Sequence, residues 1–384
     1  MILSEYQSKE LIAQYGVKIP QGRVATTAAE AEERCREIEA TKYVVKAQIG
    51  AGGRGLAGGI RFAATPSAVR DEAKRLLGKP LVTAQTGTGG EVVAQVYVEA
   101  AVEIERDVFV AIVLDPATAR PTLLASAQGG VEFEQLARMD PDVVSSLPLT
   151  EGADIAGFLG GLGLANSDGA AKAVGASAKA FTANDMTLLE INPFALTKAG
   201  DWIAVDAKVA LDGNAMFRHP ELEALTQDAA LSAAERVAQE NEINLVKLDG
   251  NIGVVVNGAG LGLATNDMLA DAGGRPANFM DIRTTATSFH IAKGVELLLD
   301  DPAVKLILLN VHGGGMTVCD TVTEGVAFAY SRSKRRLPIV ARLAGSNADW
   351  ALRILNDRKL PVEACKDMQS AVARAVAIAG GRAA

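Results

Sequence analysis

Residues 188–193, Leu188-Leu189-Glu190-Ile191-Asn192-Pro193, form an apolar run that closes on a carboxylate and a carboxamide. The run predicts a strand, and Asp206 follows at the end of the next predicted strand. Oxygen donors on adjacent strand ends suit Mg²⁺, which takes one or two protein ligands beside a substrate's phosphates. We therefore predict a magnesium site where these two strands end.

A second stretch, upstream, has the composition of a phosphate site. The apolar run Tyr43-Val44-Val45 leads into Lys46, and the loop Gly50-Ala51-Gly52-Gly53-Arg54-Gly55 follows. Phosphoryl transfer needs a cation, a glycine-lined backbone that anions can approach, and a metal to bridge them. A glycine-rich turn is usually only a turn, and an Asn-Pro after a strand is usually only the start of a loop. The combination, in this order, favours a nucleotide site.

The composition excludes several kinds of partner. The chain has 384 residues, of which 49% are hydrophobic and 22% charged, with a net charge of -8 and a pI near 5.2. This length predicts two or three domains, and the acidic balance leaves no broad basic surface for nucleic acid or anionic lipid. We expect small phosphorylated molecules or another protein as partners, with no nucleic acid and no membrane.

The cysteines and the N-terminus indicate a cytoplasmic protein. Cys35, Cys319 and Cys365 show no C-x-x-C spacing, so neither a zinc site nor a disulfide framework is indicated. The first residues lack the basic segment and apolar core of a signal peptide, and no run approaches about 18 apolar residues. Instead, Ser4 and Gln7 form a capping-box pattern. We expect the mature protein to start at its first residues.

Up to residue 238 the predicted strands are spaced irregularly, with helices such as 28–38 and 170–181 between them. The strand candidates are 92–98, 108–113, 121–126, 187–191 and 202–205. This pattern predicts an α+β domain over residues 1–238, and a polar helix predicted at 229–241 spans its end.

From residue 239 onward, strands and helices alternate. The predicted strands are 252–256, 278–282, 304–311 and 338–343, and the predicted helices are 261–272, 288–300, 321–332, 348–357 and 367–379. Alternation with short links predicts an α/β domain over residues 239–384, built on a doubly wound parallel sheet.

Unusual segments follow these parallel strands, at the edge where ligands bind in such sheets. The segments are 257–260 (Asn-Gly-Ala-Gly), 283–285 (Arg-Thr-Thr), 312–315 (His-Gly-Gly-Gly) and 344–347 (Ala-Gly-Ser-Asn). Glycines before a helix expose its N–H groups, and the helix dipole favours an anion there, so we predict a site for a carboxylate or a phosphoryl group. A competing interpretation is a dinucleotide fingerprint at Gly258, Gly260 and Gly262, with Asp281 as its acidic residue. Its glycine spacing is G-x-G-x-G, which is not that of the fingerprint.

Six stretches together resemble the β subunit of succinyl-CoA synthetase, in the same order and over essentially the whole chain. They are 5–7 (Glu-Tyr-Gln), 46–59, 190–193 (Glu-Ile-Asn-Pro), 212–215 (Asp-Gly-Asn-Ala), 248–253 (Leu-Asp-Gly-Asn-Ile-Gly) and 256–260 (Val-Asn-Gly-Ala-Gly). The resemblance implies an N-terminal ATP-grasp domain followed by a flavodoxin-like CoA-ligase domain.

The resemblance also implies a reaction and a partner. ATP or GTP, with Mg²⁺, would phosphorylate a histidine of a separate α subunit, and the phosphoryl group would pass to a small carboxylic acid. CoA, bound mainly by the α subunit, would then displace phosphate. None of the three histidines, His219, His290 and His312, lies in the glycine-alanine setting of the family's phosphorylated histidine. We therefore expect the partner to supply it.

Carried over position by position, the resemblance assigns the nucleotide site. Lys46 would neutralise the phosphates, Glu99 would contact the purine or ribose, and Glu190 would orient the incoming phosphohistidine. Asn192 and Asp206 would bind Mg²⁺. The residues implied for catalysis are Lys46, Arg54 and Glu190, and those implied for nucleotide binding are Lys46, Gly53, Arg54, Gly55, Glu99, Val102 and Asp107.

The acid site is where the chain departs most from the family pattern. Asp-Val-Gly-Gly-Gly-Ala is replaced by Asp-Ile-Arg-Thr-Thr-Ala at 281–286, and the loop 312–320 is one residue longer and lacks an arginine. Because Arg283 can hold an anion by bidentate hydrogen bonds, we predict an acid other than succinate: malate, another dicarboxylate or an acid with a sulfonate tail. The implied acid-site residues are Asn257, Arg283, Thr284, Thr285, His312, Gly314, Gly315, Met316 and Thr317.

Three alternatives stay open on the sequence. The departures can be neutral, with succinate kept as the acid. The chain can be a stand-alone ATP-grasp carboxylate ligase that uses amine acceptors, or a nucleotide-binding regulatory scaffold. A neighbouring reading frame for an α-like chain would favour the ligase subunit, and turnover by the isolated chain would favour the stand-alone ligase. Nucleotide binding without turnover would favour the scaffold.

Overall fold

The computed structural model describes residues 1–87, 89–164, 166–226, 233–241 and 243–380. The chain divides into two compact units, Met1–Ala230 and Leu231–Ala384. The boundary predicted between residues 238 and 239 falls inside a helix, Ala233–Glu240, of the second unit. Residues 229–232 of the predicted linking helix lie outside the described residues.

The first unit mixes helices and strands without a regular order. Its helices are α1 (Glu5–Ala13), α2 (Ala28–Cys35), α3 (Pro66–Leu76), α4 (Phe133–Met139), α5 (Ile155–Gly161), α6 (Ser167–Ala183) and α7 (Pro220–Thr226). Its strands are β1 (Gly22–Ala25), β2 (Tyr43–Gln48), β3 (Ile60–Ala63), β4 (Pro80–Leu81), β5 (Glu91–Val92), β6 (Gln95–Ala100), β7 (Ile104–Asp115), β8 (Arg120–Ser126), β9 (Ser145–Pro148), β10 (Met186–Thr197), β11 (Trp202–Ala204) and β12 (Ala207–Leu211).

Two antiparallel sheets organise this unit. The smaller has the order β1-β6-β2-β3, and the larger has the order β11-β10-β7-β8-β9, with β12 also paired to β10. Helices α2 and α3 pack on the smaller sheet around buried residues such as Val45, Val69 and Val98. Helix α6 packs on the larger sheet, where Phe181, Leu189 and other buried apolar residues form a separate core. The α+β prediction is confirmed.

Two strand predictions in this unit were wrong in detail. The strand predicted at 92–98 is split into β5 and β6, which pair with different strands. The strand predicted to end at residue 191 continues to Thr197, so Asn192 and Pro193 lie inside β10 and not in a loop. The pairing of β10 with β7 shifts register between Ile191 and Phe194. Proline lacks an N–H, and a sheet accepts it at such an irregularity.

The second unit is built on a six-stranded sheet with the order β13-β15-β14-β16-β17-β18. Its strands are β13 (Asn244–Lys247), β14 (Ile252–Val256), β15 (Asn278–Asp281), β16 (Leu306–Gly313), β17 (Ile339–Gly345) and β18 (Val362–Ala364). Its helices are α8 (Ala233–Glu240), α9 (Ala259–Asp271), α10 (Ser288–Asp300), α11 (Cys319–Arg332), α12 (Ala348–Asp357) and α13 (Met368–Ala379).

Helices cover both faces of this sheet. Alternate residues of β16 and β17 contribute to two different cores, one with Ile307 and Ala341 beside α10 and α11, the other with Leu308 and Val340 beside α13. All neighbouring pairs from β15 to β18 are parallel, which confirms the predicted doubly wound parallel sheet. Two short edge strands, the antiparallel β13 and the parallel β18, were not predicted.

Among the described residues, no helix is both long and apolar enough to cross a membrane.

Candidate functional site

A cavity of about 430 Å³ lies in the first unit, and the predicted phosphate loop lines it. Residues 49–56, between β2 and β3, form one wall. Gly53 has φ +77, a conformation that favours glycine, and the backbone turns sharply at this point. Two amides of the loop are already engaged, because Gly50 N–H donates to Glu91 Oε1 and Gly52 N–H donates to Gln85 Oε1, both at 2.8 Å.

The opposite wall comes from β10 and the segment between β11 and β12. It carries three residues predicted for catalysis and metal binding, Glu190, Asn192 and Asp206. Predicted residues from two distant parts of the sequence, 53–55 and 190–206, therefore converge on one cavity. Glu134, Arg138 and Lys208 also line it and were not predicted, because no local motif marks them.

Lys46 lies behind this cavity in a network of ion pairs. Its side chain is 4% exposed, and Nζ lies 2.7 Å from Glu5 Oε1 and 2.5 Å from Glu99 Oε1. Nζ also donates to Val205 O at 2.8 Å. Burial alone would lower the pKa of Lys46, but the two carboxylates outweigh it, so its pKa lies above the ordinary value. Lys46 is therefore protonated at neutral pH.

Arg54 joins the two walls of the cavity. Its Nη1 donates to Glu5 Oε2 at 2.7 Å, and its Nη2 donates to Asp206 Oδ2 at 2.8 Å. Asp206, the predicted magnesium ligand, is thus held by Arg54, which is predicted to bind the phosphates. Burial, followed by the charge of Glu5, raises the pKa of Asp206 above its ordinary value.

Asn192 is fixed by a backbone contact. Its Oδ1 accepts from Gly130 N–H at 2.7 Å, and its Nδ2 donates to Gly130 O at 3.2 Å. The amide oxygen keeps a second lone pair, so it can still serve as a metal ligand. With the Asp206 carboxylate, the donor set is all oxygen, which fits Mg²⁺.

Besides Lys46, three residues predicted for the nucleotide do not line the cavity. Glu99, on β6 beside the strand of Lys46, is 1% exposed and pairs with Lys9 and Lys46. Asp107 lies in β7, and Val102 lies in the half-buried segment before it. The predicted contact between Glu99 and a purine or ribose stays a prediction, since Glu99 here is occupied by buried lysines.

In the second unit, Asn257 braces two neighbouring strand ends. Its Nδ2 donates to His312 O at 2.7 Å, and its Oδ1 accepts from His312 N–H at 2.8 Å. Asp281, the acidic residue of the competing dinucleotide pattern, accepts a hydrogen bond from Gly258 N–H at 2.6 Å. Both side chains hold the glycine segments at the carboxyl edge of the sheet in place.

The predicted acid-binding segments lie at that edge and are mostly exposed, but Thr317 is buried. Arg283, Thr284 and Thr285 follow β15, and Arg283 Nη2 donates to Asn244 Oδ1 at 3.0 Å. The loop after β16 is a tight turn, because Gly314 N–H donates to Thr317 O and Thr317 N–H donates to Gly314 O. Its tip comprises Gly315 and Met316, and Met316 is 75% exposed.

A second arginine of this unit, Arg342, was not predicted. It lies on β17, in register with Asn310 of β16, and its Nη1 is 3.5 Å from Asn310 Oδ1. Its Nε is buried and has no hydrogen-bond partner, and no ion pair within the described part of the chain includes it. Arg342 lies in the middle of β17, two residues before the glycine segment 344–347, which was the available signal.

Family models match both halves of the chain. Residues 2–196 match the model described as ATP-grasp domain, and residues 255–377 match the model described as CoA-ligase. The predicted order of the two domains is confirmed.

Similar proteins extend over the full length. The β subunit of the ADP-forming succinate–CoA ligase of Acidiphilium cryptum is 41% identical over 393 residues and is covered to 98%, as is this chain. The corresponding subunit of Parvibaculum lavamentivorans is 38% identical over 384 residues, with the same coverage of both chains. Among solved structures, the ATP citrate lyase of Methanothrix soehngenii, in complex with citrate and coenzyme A, has a TM-score of 0.74 at 17% identity. It covers 98% of this chain and 99% of its own, and it shows the fold alone.

Proposed function

The chain belongs to the family of the ADP-forming succinate–CoA ligase β subunits, and on that premise we propose that it is the nucleotide-binding subunit of an ATP-dependent acid–CoA ligase. One observation carries the proposal: Arg54, Glu190, Asn192 and Asp206 line one cavity together with the glycine loop. Phosphoryl transfer uses a cation, oxygen ligands for a metal ion and a backbone that the phosphates can approach closely.

The nucleotide's phosphates would lie along the loop 50–55, beside Arg54 and in the field of Lys46. Asn192 and Asp206 would hold Mg²⁺, which neutralises phosphate charge when bound. Lys46 and Arg54 would stabilise the charge that develops as the terminal phosphoryl group leaves ADP. Positioning and charge neutralisation therefore account for the contribution of this chain.

The phosphoryl acceptor would be a histidine of an α subunit. The bond from the terminal phosphorus to the ADP oxygen breaks as the bond to the imidazole nitrogen forms, which leaves ADP and a phosphohistidine. The phosphoryl group then passes to a carboxylate oxygen of the acid, and the CoA thiol displaces phosphate to give acyl-CoA. CoA would be bound mainly by the α subunit.

The acid would bind at the carboxyl edge of the parallel sheet. Arg283, Thr284 and Thr285 offer a cation and two hydroxyls, and the tip of the next loop, Gly315 and Met316, would offer backbone N–H groups. A terminal anion on the acid would pair with the Arg283 guanidinium, with each charge-assisted hydrogen bond contributing about 1.5–3 kcal/mol. We propose an acid other than succinate: malate, another dicarboxylate or an acid with a sulfonate tail.

The nucleotide assignment is tested by replacing Asp206 in the chain co-expressed with its α subunit. Asp206→Asn removes the carboxylate charge, so we expect phosphohistidine formation from ATP to fall by at least about 100-fold. The matched control is Asp201→Asn, which removes an exposed aspartate of the β10–β11 connection that pairs with Lys18 at the surface. Near-normal phosphohistidine in Asp206→Asn would reject the site.

The acid is tested by CoA-dependent ADP release over a panel of succinate, malate, other dicarboxylates and sulfonated acids. Arg283→Gly should lower kcat/KM for the preferred acid and leave phosphohistidine formation unchanged. A succinate preference in both proteins would favour succinate–CoA ligase proper. Turnover by the isolated chain would favour a stand-alone carboxylate ligase, and nucleotide binding without turnover would favour a regulatory scaffold.

A further inference from the structure

Glu5 occupies a position that none of the predicted roles explains. It opens helix α1, its side chain is 2% exposed, and it also lines the cavity. Its Oε1 accepts from Lys46 Nζ and its Oε2 accepts from Arg54 Nη1, both at 2.7 Å. Within the described parts of the chain, Glu5 is the one carboxylate that forms ion pairs with both cations proposed for the phosphates.

The charges around Glu5 are balanced. Three cations and three carboxylates form one connected set of ion pairs, namely Lys9, Lys46 and Arg54 with Glu5, Glu99 and Asp206. Burial would raise the pKa of Glu5, but the neighbouring cations hold that pKa well below its ordinary value, so Glu5 is ionised at neutral pH. A phosphate that approaches Lys46 and Arg54 therefore meets cations whose charge is already neutralised.

The geometry of Glu5 is that of a bound anion. A carboxylate with one oxygen on an ammonium and the other on a guanidinium makes the contacts that two phosphate oxygens make with the same groups. Glu5 reaches this position from a helix outside the sheet that carries Lys46 and Glu99. It is thus attached to a different element from the cations that it neutralises.

We infer that Glu5 is a resident counter-anion of the nucleotide site: it holds Lys46 and Arg54 in place when no phosphate is bound, and it lowers the affinity for polyphosphate because it competes for both cations. The inference rests on the proposed function, since it concerns the same phosphate site. Glu5 is in this sense a positioning residue. It keeps nucleotide affinity low enough for ADP to leave.

The test is isothermal titration of the full-length chain with Mg·ADP and, separately, with inorganic pyrophosphate. Glu5→Gln keeps the shape of the side chain and removes one negative charge, so we expect both ligands to bind about tenfold more tightly. The matched control is Glu10→Gln, which removes an exposed carboxylate from the same helix, and its affinities should stay within about twofold of those of the unmodified chain.

A steady-state measurement with the α subunit present separates this role from a structural one. Glu5→Gln should lower the KM for ATP, and kcat should fall as ADP release slows. If Glu5 only maintained the structure, Glu5→Gln would have a higher KM for ATP, because misplaced cations bind phosphate less well. Equal or weaker binding of Mg·ADP by folded Glu5→Gln would overturn the inference.

A second variant keeps the inference testable if Glu5→Gln does not fold. Glu5→Asp retains the charge but cannot reach Lys46 and Arg54 at once, so we expect a smaller gain in affinity than in Glu5→Gln. No gain in Glu5→Asp, or failure of both variants to fold, would also overturn the inference. If the unmodified chain binds neither Mg·ADP nor Mg·ATP, the proposed function itself fails, which is a different result from a missing gain.

Discussion

The two predicted binding regions differ in how their charges are satisfied. In the first unit, Lys46 and Glu5 are almost completely buried and paired with each other. At the carboxyl edge of the second unit, Arg283 is exposed, and Asn257 makes its hydrogen bonds to the His312 backbone at the surface. An anionic ligand of the first region must displace protein carboxylates from their cations. A ligand of the second region binds exposed groups on a backbone that is already fixed by hydrogen bonds. Substitutions should therefore affect stability and binding together in the first region, and separately in the second.

The largest effect is expected for Lys46→Met. This change removes one of the two buried cations that pair with both Glu5 and Glu99, the other being Lys9, and breaking a buried ion pair costs about 3–5 kcal/mol. We expect that loss in the free energy of unfolding of the first unit, measured by urea denaturation with the fluorescence of Trp202. The experiment uses a Trp350→Phe background, so that the signal reports on the first unit alone.

The control for this prediction is Lys42→Met, four residues away and exposed. It should change the free energy of unfolding by no more than about 0.5 kcal/mol. Equal losses in both variants would show that the buried ion pairs of Lys46 stabilise the first unit no more than an exposed lysine does. The contrast between the two regions would then be wrong.

In the second region the backbone itself should be the sensitive part. Gly345 has φ +83, and a Cβ there would lie 2.0 Å from Gly313 O. Gly315 has φ +58, but a Cβ there would meet no atom within 4 Å. Gly345→Ala should therefore cost about 3 kcal/mol through strain and overlap, and Gly315→Ala about 1 kcal/mol through strain alone. Thermal unfolding of the two variants measures the difference. Equal costs would contradict the close packing of the backbone at this edge of the sheet.

The contrast also explains which features could be predicted from sequence. Lys46 and the loop 50–55 are marked by local signals, an apolar run and a glycine string, which a strand and a turn require wherever they occur. The alternation after residue 239 likewise dictates a parallel sheet, and the structure confirms it. These features depend on neighbours in sequence.

The contacts that complete each region depend on residues far apart in sequence. Glu5 meets Lys46 across 41 positions, and Asn257 meets His312 across 55. In sequence, Glu5 and Lys9 have the i,i+4 spacing of a common surface pair, and both are in fact buried. The four-residue strand β13, which supplies Asn244 to Arg283, is too short and too polar to produce a periodic signal.

A smaller effect, of opposite sign, is expected for Glu190→Gln. Burial raises the pKa of Glu190, and Glu134 and Asp206 add to the rise. The folded chain thus holds this proton more tightly than the unfolded chain, so Glu190 contributes stability below the ordinary glutamate pKa and loses it as pH rises through the folded value. Glu190→Gln should be slightly more stable than the unmodified chain at pH 7, and the advantage should vanish toward pH 4.

Differential scanning fluorimetry between pH 4 and pH 8 tests this sign. Glu103→Gln, at a largely exposed site, is the control and should show no such trend. A Glu190→Gln advantage that grows as pH falls would contradict the assignment of burial as the main cause. It would also remove one of the differences between this carboxylate and Glu5, whose pKa is held low by cations.

The smallest effect on stability, and the most specific effect on function, is expected at Asn244. Its Oδ1 accepts from Arg283 Nη2 at 3.0 Å and from Arg283 Nε at 3.3 Å, on an exposed edge strand. Asn244→Ala should change the free energy of unfolding by less than about 0.5 kcal/mol. If Arg283 binds the acid, loss of these two orienting hydrogen bonds should raise the KM for the acid about fivefold and leave kcat unchanged.

Asn244→Asp sharpens the same comparison. A carboxylate at this position would form an ion pair with Arg283 and compete with the acid, as Glu5 is inferred to compete with phosphate. The KM for the acid should then rise further than in Asn244→Ala, and the rise should shrink in high salt because the pair is exposed. Lys247→Gln, on the same strand, is the control, and it removes an exposed lysine that pairs with the partly buried Asp301. A KM that is the same in Asn244→Ala, Asn244→Asp and the control would mean that Arg283 does not contact the acid, because a guanidinium that binds the acid must respond to a charge placed 3 Å from it.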